Sequence, residues 1–153
     1  RPVTEIQMAD LLREVRRRFD FCLLDAPAGL GRGFQLATCA ADRCVVVTTA
    51  DASSLRDAQH TVMELDRFPA GALHLVVNRV RKKLLRQLHA TIDDAIDKAG
   101  LPLLGVVPED DALPLCMNRG VPILLADGQS AATAYRNIAK RLQGERVPLL
   151  RIR

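Results

Sequence analysis

Apolar positions along this chain follow two rhythms. Mostly apolar runs occupy 21–25, 43–49, 73–78 and 103–107. Runs this short and unbroken predict strands buried on both faces, as in a parallel sheet. Between them, apolar residues recur at helical spacing. Met8, Leu11, Leu12 and Val15 share one face of a helix opening at Thr4, with Gln7 at capping-box spacing. Residues 31–41 read as a short helix of small and apolar side chains. Leu55, Ala58, Val62 and Leu65 face inward on a helix over about 53–67, for which Asp51 and Ser53 are candidate N-caps. Thr91 and Asp94 form another capping-box pair, and Gly100 stops the helix they start. A short helix or turn runs through Leu115, then a loop over 118–122. Ala131, Ala134, Ile138 and Leu142 line a last helix over about 129–143, ended by Gly144.

Strands that alternate with helices mean βαβ units. The expected fold class is α/β, a parallel sheet covered by helices on both faces. With 153 residues there is room for one domain with a real core. No repeat, low-complexity tract or linker interrupts it.

Composition narrows the picture. Aromatic residues make up 3% and Trp is absent, which argues against a stacking platform for single-stranded nucleic acid. A net charge of +4 permits contact with phosphates or an anionic membrane without demanding it. Cys22, Cys39, Cys44 and Cys116 lack paired spacing, so zinc is not expected and all four read as reduced thiols of a cytoplasmic protein. His60, His74 and His89 are isolated. No apolar stretch approaches the roughly 18 residues of a membrane span, and no signal peptide is expected. The chain opens Arg1-Pro2 without an initiator Met and enters a helix at once, which predicts a piece of a longer protein.

Three strand ends carry polar residues, where ligands bind in open α/β sheets. Asp25 ends the first run and is followed by Pro27 and Gly29. Its carboxylate suits either a metal-bound water beside a phosphate-sensing loop or a simple helix cap. Asn78 ends the third run as a ligand or a turn former, and Pro108, Glu109 and Asp110 follow the fourth. Residues 79–86 are the most basic stretch. They could touch phosphates, but Asp93, Asp94 and Asp97 follow, which favours a solvated loop. Arg16, Arg17 and Arg18 read as a solvated helix end suited to the helix dipole.

Taken in order with 47–57 and 118–122, the motifs at 25–29, 78–80 and 108–110 resemble the MinD/ParA family of deviant Walker ATPases, across residues 4–144. The resemblance implies that 1–144 form the carboxyl-terminal portion of a single ATPase domain of the P-loop NTPase (SIMIBI) fold, with 145–153 a short tail. The family's P-loop, which grips phosphates and Mg²⁺, has no counterpart here. About the first 100 residues of such a domain are therefore expected to lie upstream.

By resemblance, Asp25 is the catalytic acidic residue that reaches Mg²⁺ through water. Pro27, Ala28 and Gly29 match the switch segment that senses the γ-phosphate. Asn78 and Arg79 match a loop beside the adenine, and Pro108 and Asp110 a second loop around the base. Ala26 departs from the family's usual Ser or Thr. The tail is shorter than the family's amphipathic membrane-targeting helix.

The implied function is part of an ATP-driven, Mg²⁺-dependent dimerising switch in division-site placement. The intact protein would be an ATPase, and this chain alone is expected not to hydrolyse ATP. The implied partners are ATP, a second subunit, a division inhibitor, a topological regulator and the inner membrane surface, with nucleic acid not expected. Placement would be cytoplasmic, peripheral at the inner membrane. Alternatives are a ParA-like partitioner that binds DNA through 79–86, or a non-enzymatic interaction module.

Overall fold

Three of the four apolar runs pair. In the computed structural model, which describes residues 2–87, 91–126 and 130–150, β1 (Cys44–Thr48), β2 (Leu73–Val80) and β3 (Leu103–Pro108) form a parallel sheet in that order. Cys44 sits opposite Leu73 and Thr48 opposite Val77. Between β2 and β3 the register shifts after Leu75 and again after Val77.

Helices flank the sheet: α1 (Glu5–Arg16), α2 (Arg32–Thr38), α3 (Ala52–Met63), α4 (Lys82–Gln87), α5 (Ile92–Ala99), α6 (Ala112–Asn118) and α7 (Ser130–Leu142), with a 3-10 turn at Ile123–Leu125. Two apolar cores follow from the alternation of side chains across strands. One joins Val46, Leu75 and Val77 to Leu55, Ala58, Ala95 and Ala99 of α3 and α5. The other joins Val76, Leu104 and Val107 to Ala131, Ala132 and Ala134 of α7. Both faces of the sheet are thus helix-covered, except beside β1, where Val45 and Val47 remain 37% and 60% exposed.

Local signals set the helix ends. Thr4 and Gln7 close a capping box on α1, and Thr91 and Asp94 close another on α5. Asp51, rather than Ser53, caps α3 by accepting from the Ser54 N–H. Gly100 ends α5 with φ 67°, a left-handed conformation that favours glycine. The α3 helix stops at Met63, yet Leu65 beyond it is buried in the first core. The start of α7 expected at residue 129 lies outside the described residues, as do His89 and 151–153.

Two expectations need correction. Residues 82–87, read as a loop, form helix α4, and Leu85 packs on the first core. More consequential, 21–25 is not a buried strand. The segment is irregular, with Phe21 66% and Leu23 90% exposed. An apolar run becomes a strand only if a neighbour takes its backbone hydrogen bonds. Among the described residues β1 has β2 on one side and no strand on the other, so 21–25 finds no strand to pair with there.

The tail over 145–150 is irregular and tied back to the sheet. Arg141 donates from Nε and Nη2 to the Val147 carbonyl at 3.0 and 2.8 Å, and from Nη1 to the Leu104 carbonyl at 2.7 Å.

Candidate functional site

Between β1 and the 21–30 segment lies a cleft of about 1400 Å³. Asp25, Pro27, Ala28, Gly29 and Asn78 all line it. Five of the eight residues singled out in the sequence therefore share one concavity, although they come from two distant stretches of chain. Arg16 and Arg43 are the cations among its described lining residues.

Asp25 is exposed, and among the described residues its carboxylate has no hydrogen-bond or ion-pair partner. It does not cap α2, whose N-cap is Gly31 with no side-chain cap bond. Gly29 adopts φ 86°, which turns the chain toward α2 without strain. The turn then leans on α2, because a Cβ at Gly33 would lie 2.4 Å from Pro27 Cγ. Asn78, half-buried near the end of β2, accepts from the Arg79 N–H through its own Oδ1 at 2.9 Å.

Arg79 has φ 53°, the one positive value at a non-glycine position among the described residues. Such backbone is costly for a side chain with a Cβ and persists where surrounding bonds enforce it. Its guanidinium reaches Glu109 at 3.4 Å, and Arg81 also pairs with Glu109. These three residues line a smaller cavity of about 340 Å³ with Thr49, Asp51 and Leu85. Arg79 thus stands beside, rather than in, the large cleft. Glu109 was named at the strand end in the sequence but given no role; an acidic residue directly after a strand, with Arg79 and Arg81 at the end of a neighbouring one, was the available signal.

Pro108 ends β3 and is buried. Asp110 accepts from the Ala112 N–H at 3.1 Å, and its other oxygen accepts from the Ala131 N–H at 3.1 Å and the Ser130 hydroxyl at 3.3 Å. Burial raises its pKa, but these donors outweigh burial and hold it below the ordinary value. Its carboxylate ties together the starts of α6 and α7, and neither cavity is lined by Pro108 or Asp110. At the end of β1, Thr49 Oγ1 donates to Asp51 at 2.5 Å, while Asp51 accepts from the Ser54 N–H at 3.0 Å. Those bonds lower the Asp51 pKa to about 2.

No group of three or more His, Cys, Asp or Glu side chains able to cage a metal occurs among the described residues. A lone carboxylate supplies too few oxygen ligands to chelate a divalent cation by itself. None of the helices among the described residues is long and apolar enough to cross a membrane.

Comparison with known proteins bears on the family and the fold. The family model described as cellulose biosynthesis protein BcsQ matches residues 3–142. The septum site-determining protein MinD of Bacillus subtilis is 37% identical over 145 residues, covering 94% of this chain and 54% of that protein. Its counterpart in Synechocystis is 33% identical, covering 94% and 55%. Among solved structures, MinD of Aquifex aeolicus superposes with a TM-score of 0.90 at 30% identity, covering 97% of this chain and 64% of that one. The MinC:MinD complex from the same organism matches equally, with a TM-score of 0.90. MinD complexed with Mg-ADP from Pyrococcus horikoshii matches with a TM-score of 0.76 at 25% identity, covering 91% and 56%. The chain spans about half the length of the relatives it matches in sequence. A family match across nine-tenths of the chain and a shared parallel-sheet fold lead to one conclusion: the chain belongs to the family described as cellulose biosynthesis protein BcsQ, with MinD septum site-determining proteins as its homologues.

Proposed function

We propose that this chain is the part of a MinD-like ATPase that carries the Mg²⁺-water carboxylate and the second switch, and that it acts in division-site placement. The observation that supports this most is the convergence of Asp25, the 27–29 turn and Asn78 on one cleft. Asp25 would hold a water on the Mg²⁺ of bound ATP. The turn over Pro27, Ala28 and Gly29, braced on Gly33, would change position as the γ-phosphate leaves. The side-chain N–H₂ of Asn78 would face the base, with Arg79 beside it; Pro108 and Asp110 would shape the base-side loop from behind. Mg²⁺, when bound, would supply charge neutralisation to the phosphates.

The described cleft offers no lysine. The phosphate-gripping groups must therefore come from elsewhere, and the chain alone should turn over no ATP. Nucleotide-dependent pairing of two subunits, a MinC-like inhibitor as partner and peripheral membrane attachment complete the reading. The MinC:MinD and Mg-ADP structures among its neighbours support the partner and the nucleotide.

The test is a chimera in which residues 3–142 replace the matching part of Aquifex aeolicus MinD. ATP hydrolysis by the chimera, lost on Asp25→Ala, is expected. Undiminished hydrolysis by the Asp25→Ala chimera overturns the role of Asp25. The family description favours one other reading, an ATPase serving cellulose production. Loss of the gene would then abolish cellulose and leave septum position unchanged, whereas misplaced septa are expected here.

A further inference from the structure

Glu109 grips the end of β2 at three points. Its N–H donates to the Val80 carbonyl at 3.1 Å. Its Oε1 accepts from the Arg79 guanidinium at 3.4 Å, and its Oε2 pairs with Arg81. The glutamate side chain is 20% exposed, against 69% and 62% for the two arginines, so the anion is the sheltered member. A single exposed ion pair would be worth little. Here one carboxylate serves two cations on alternate residues, and its own backbone is bonded to the residue between them.

The backbone held in this way is irregular. Val77 sits opposite Val106 and Val80 opposite Pro108, so β2 carries one more residue than β3 over this interval. A bulge of this kind re-aims the side chains within it. Arg79 takes its left-handed position at φ 53°, a backbone that glycine would adopt freely. Arginine is sterically disfavoured there, so neighbouring bonds must hold it. On one side the Arg79 N–H donates to Asn78 Oδ1 at 2.9 Å, and on the other the guanidinium meets Glu109. The first bond also sets the Asn78 amide: with Oδ1 occupied, its N–H₂ is the end available to a ligand.

From this geometry we infer that Glu109 is a positioning residue for recognition of the nucleotide base. It touches no ligand. It clamps the bulge at 78–79 through Arg79 and Arg81, and the bulge aims the Asn78 amide. The inference rests on the reading that Asn78 faces the base, and the experiments separate the two.

The first experiment uses the 153-residue chain. Hydrogen exchange of the Arg79 amide reports the bulge, because Asn78 holds that N–H. Glu109→Gln keeps the size of the side chain and removes its charge. It should speed exchange at Arg79 about fivefold, the upper range for a surface charge pair. The melting temperature should move by no more than about 3 °C. Unaltered exchange at Arg79 overturns the inference.

The second experiment uses the chimera with Aquifex aeolicus MinD, with ATP as substrate and tripolyphosphate, which has no base, as inhibitor. Glu109→Gln should raise the KM for ATP about threefold to tenfold, the worth of one hydrogen bond. The kcat and the inhibition by tripolyphosphate should match the parent chimera. On an Arg79→Gly background the same change should alter KM less than about twofold, since glycine needs no enforcement at this backbone. A KM raised by Asn78→Ala but not by Glu109→Gln overturns the role of Glu109 alone. A KM indifferent to both overturns the base-side reading of Asn78, and this inference with it. Equal weakening of ATP and tripolyphosphate by Glu109→Gln would place its effect on the phosphates and overturn the inference too.

Discussion

Pro27 rests on Gly33: a Cβ at position 33 would stand 2.4 Å from Pro27 Cγ and 3.1 Å from its Cδ. The turn that follows Asp25 is braced on the first turn of α2 only because position 33 has no side chain. A proline ring cannot rotate out of the way, so anything added at 33 must move the turn itself.

Gly33→Ala should therefore displace 27–29 while disturbing little else. The turn is exposed, so the melting temperature of the chain should shift by no more than about 2 °C. ATP hydrolysis by the Aquifex chimera should fall by roughly tenfold to a hundredfold, since misplacement of a group by about 1 Å costs that much. Equal hydrolysis by the Gly33→Ala and parent chimeras would show that the position of the turn is unimportant.

Asp110 links two helices that are far apart in sequence. Its carboxylate accepts from the N–H groups of Ala112 and Ala131 and from the Ser130 hydroxyl. Asp110→Ala should cost about 1–2 kcal/mol, the upper range for loss of a capping acceptor. Asp110→Asn keeps one acceptor and should cost roughly half as much. Urea unfolding with an unchanged m-value measures both. A loss below about 0.3 kcal/mol for the Ala variant would contradict the double cap.

How much of this could be read from the chain depended on where each signal was satisfied. Capping signals are local, so Thr4, Asp51, Thr91 and Gly100 lie where the residues alone placed them. The runs that became β1, β2 and β3 were legible because each found a neighbour in the same chain. The run at 21–25 had the same apolar character but no neighbour, and character alone cannot supply one. Helix α4 was missed because its cations dominate its composition, while Leu85 is its apolar contact with the core. At the site, Asp25, 27–29 and Asn78 were legible as strand-end residues and do converge. Asp110 is also a strand-end residue, but its second oxygen is taken by α7, about twenty positions on, which spacing cannot reveal.

Gly105 in β3 is a matter of packing. A Cβ there would meet Ile138 Cγ1 at 2.4 Å and Cδ1 at 2.9 Å. This glycine lets α7 approach the sheet. Gly105→Ala should cost about 1–3 kcal/mol, the usual penalty for overfilling a well-packed core. Adding Ile138→Ala should restore part of the loss, so the pair should be non-additive by about 1 kcal/mol. Strict additivity of the two changes would mean that α7 is not held where this contact puts it.

Acid sensitivity should follow from the caps. Asp51 is held at about 2, from an ordinary 3.8, by the Thr49 hydroxyl first and then by Ser54. Asp94 is lowered by the Thr91 hydroxyl and N–H, and Asp110 by its three donors against burial. In the unfolded chain these carboxylates titrate near 4. A depressed folded-state pKa contributes stability that is complete above the unfolded value and is lost as pH falls through the folded one. Stability should thus be flat from about pH 7 to 5 and decline from about pH 4 toward pH 2. Asp51→Asn keeps an acceptor for the Ser54 N–H and cannot titrate. It should be less stable than the parent at pH 7, yet lose less on acidification, so that the two urea midpoints converge as pH approaches 2. Parallel midpoint curves for parent and Asp51→Asn across this window would mean that the Thr49–Asp51 bond persists in the unfolded chain or does not form in the folded one.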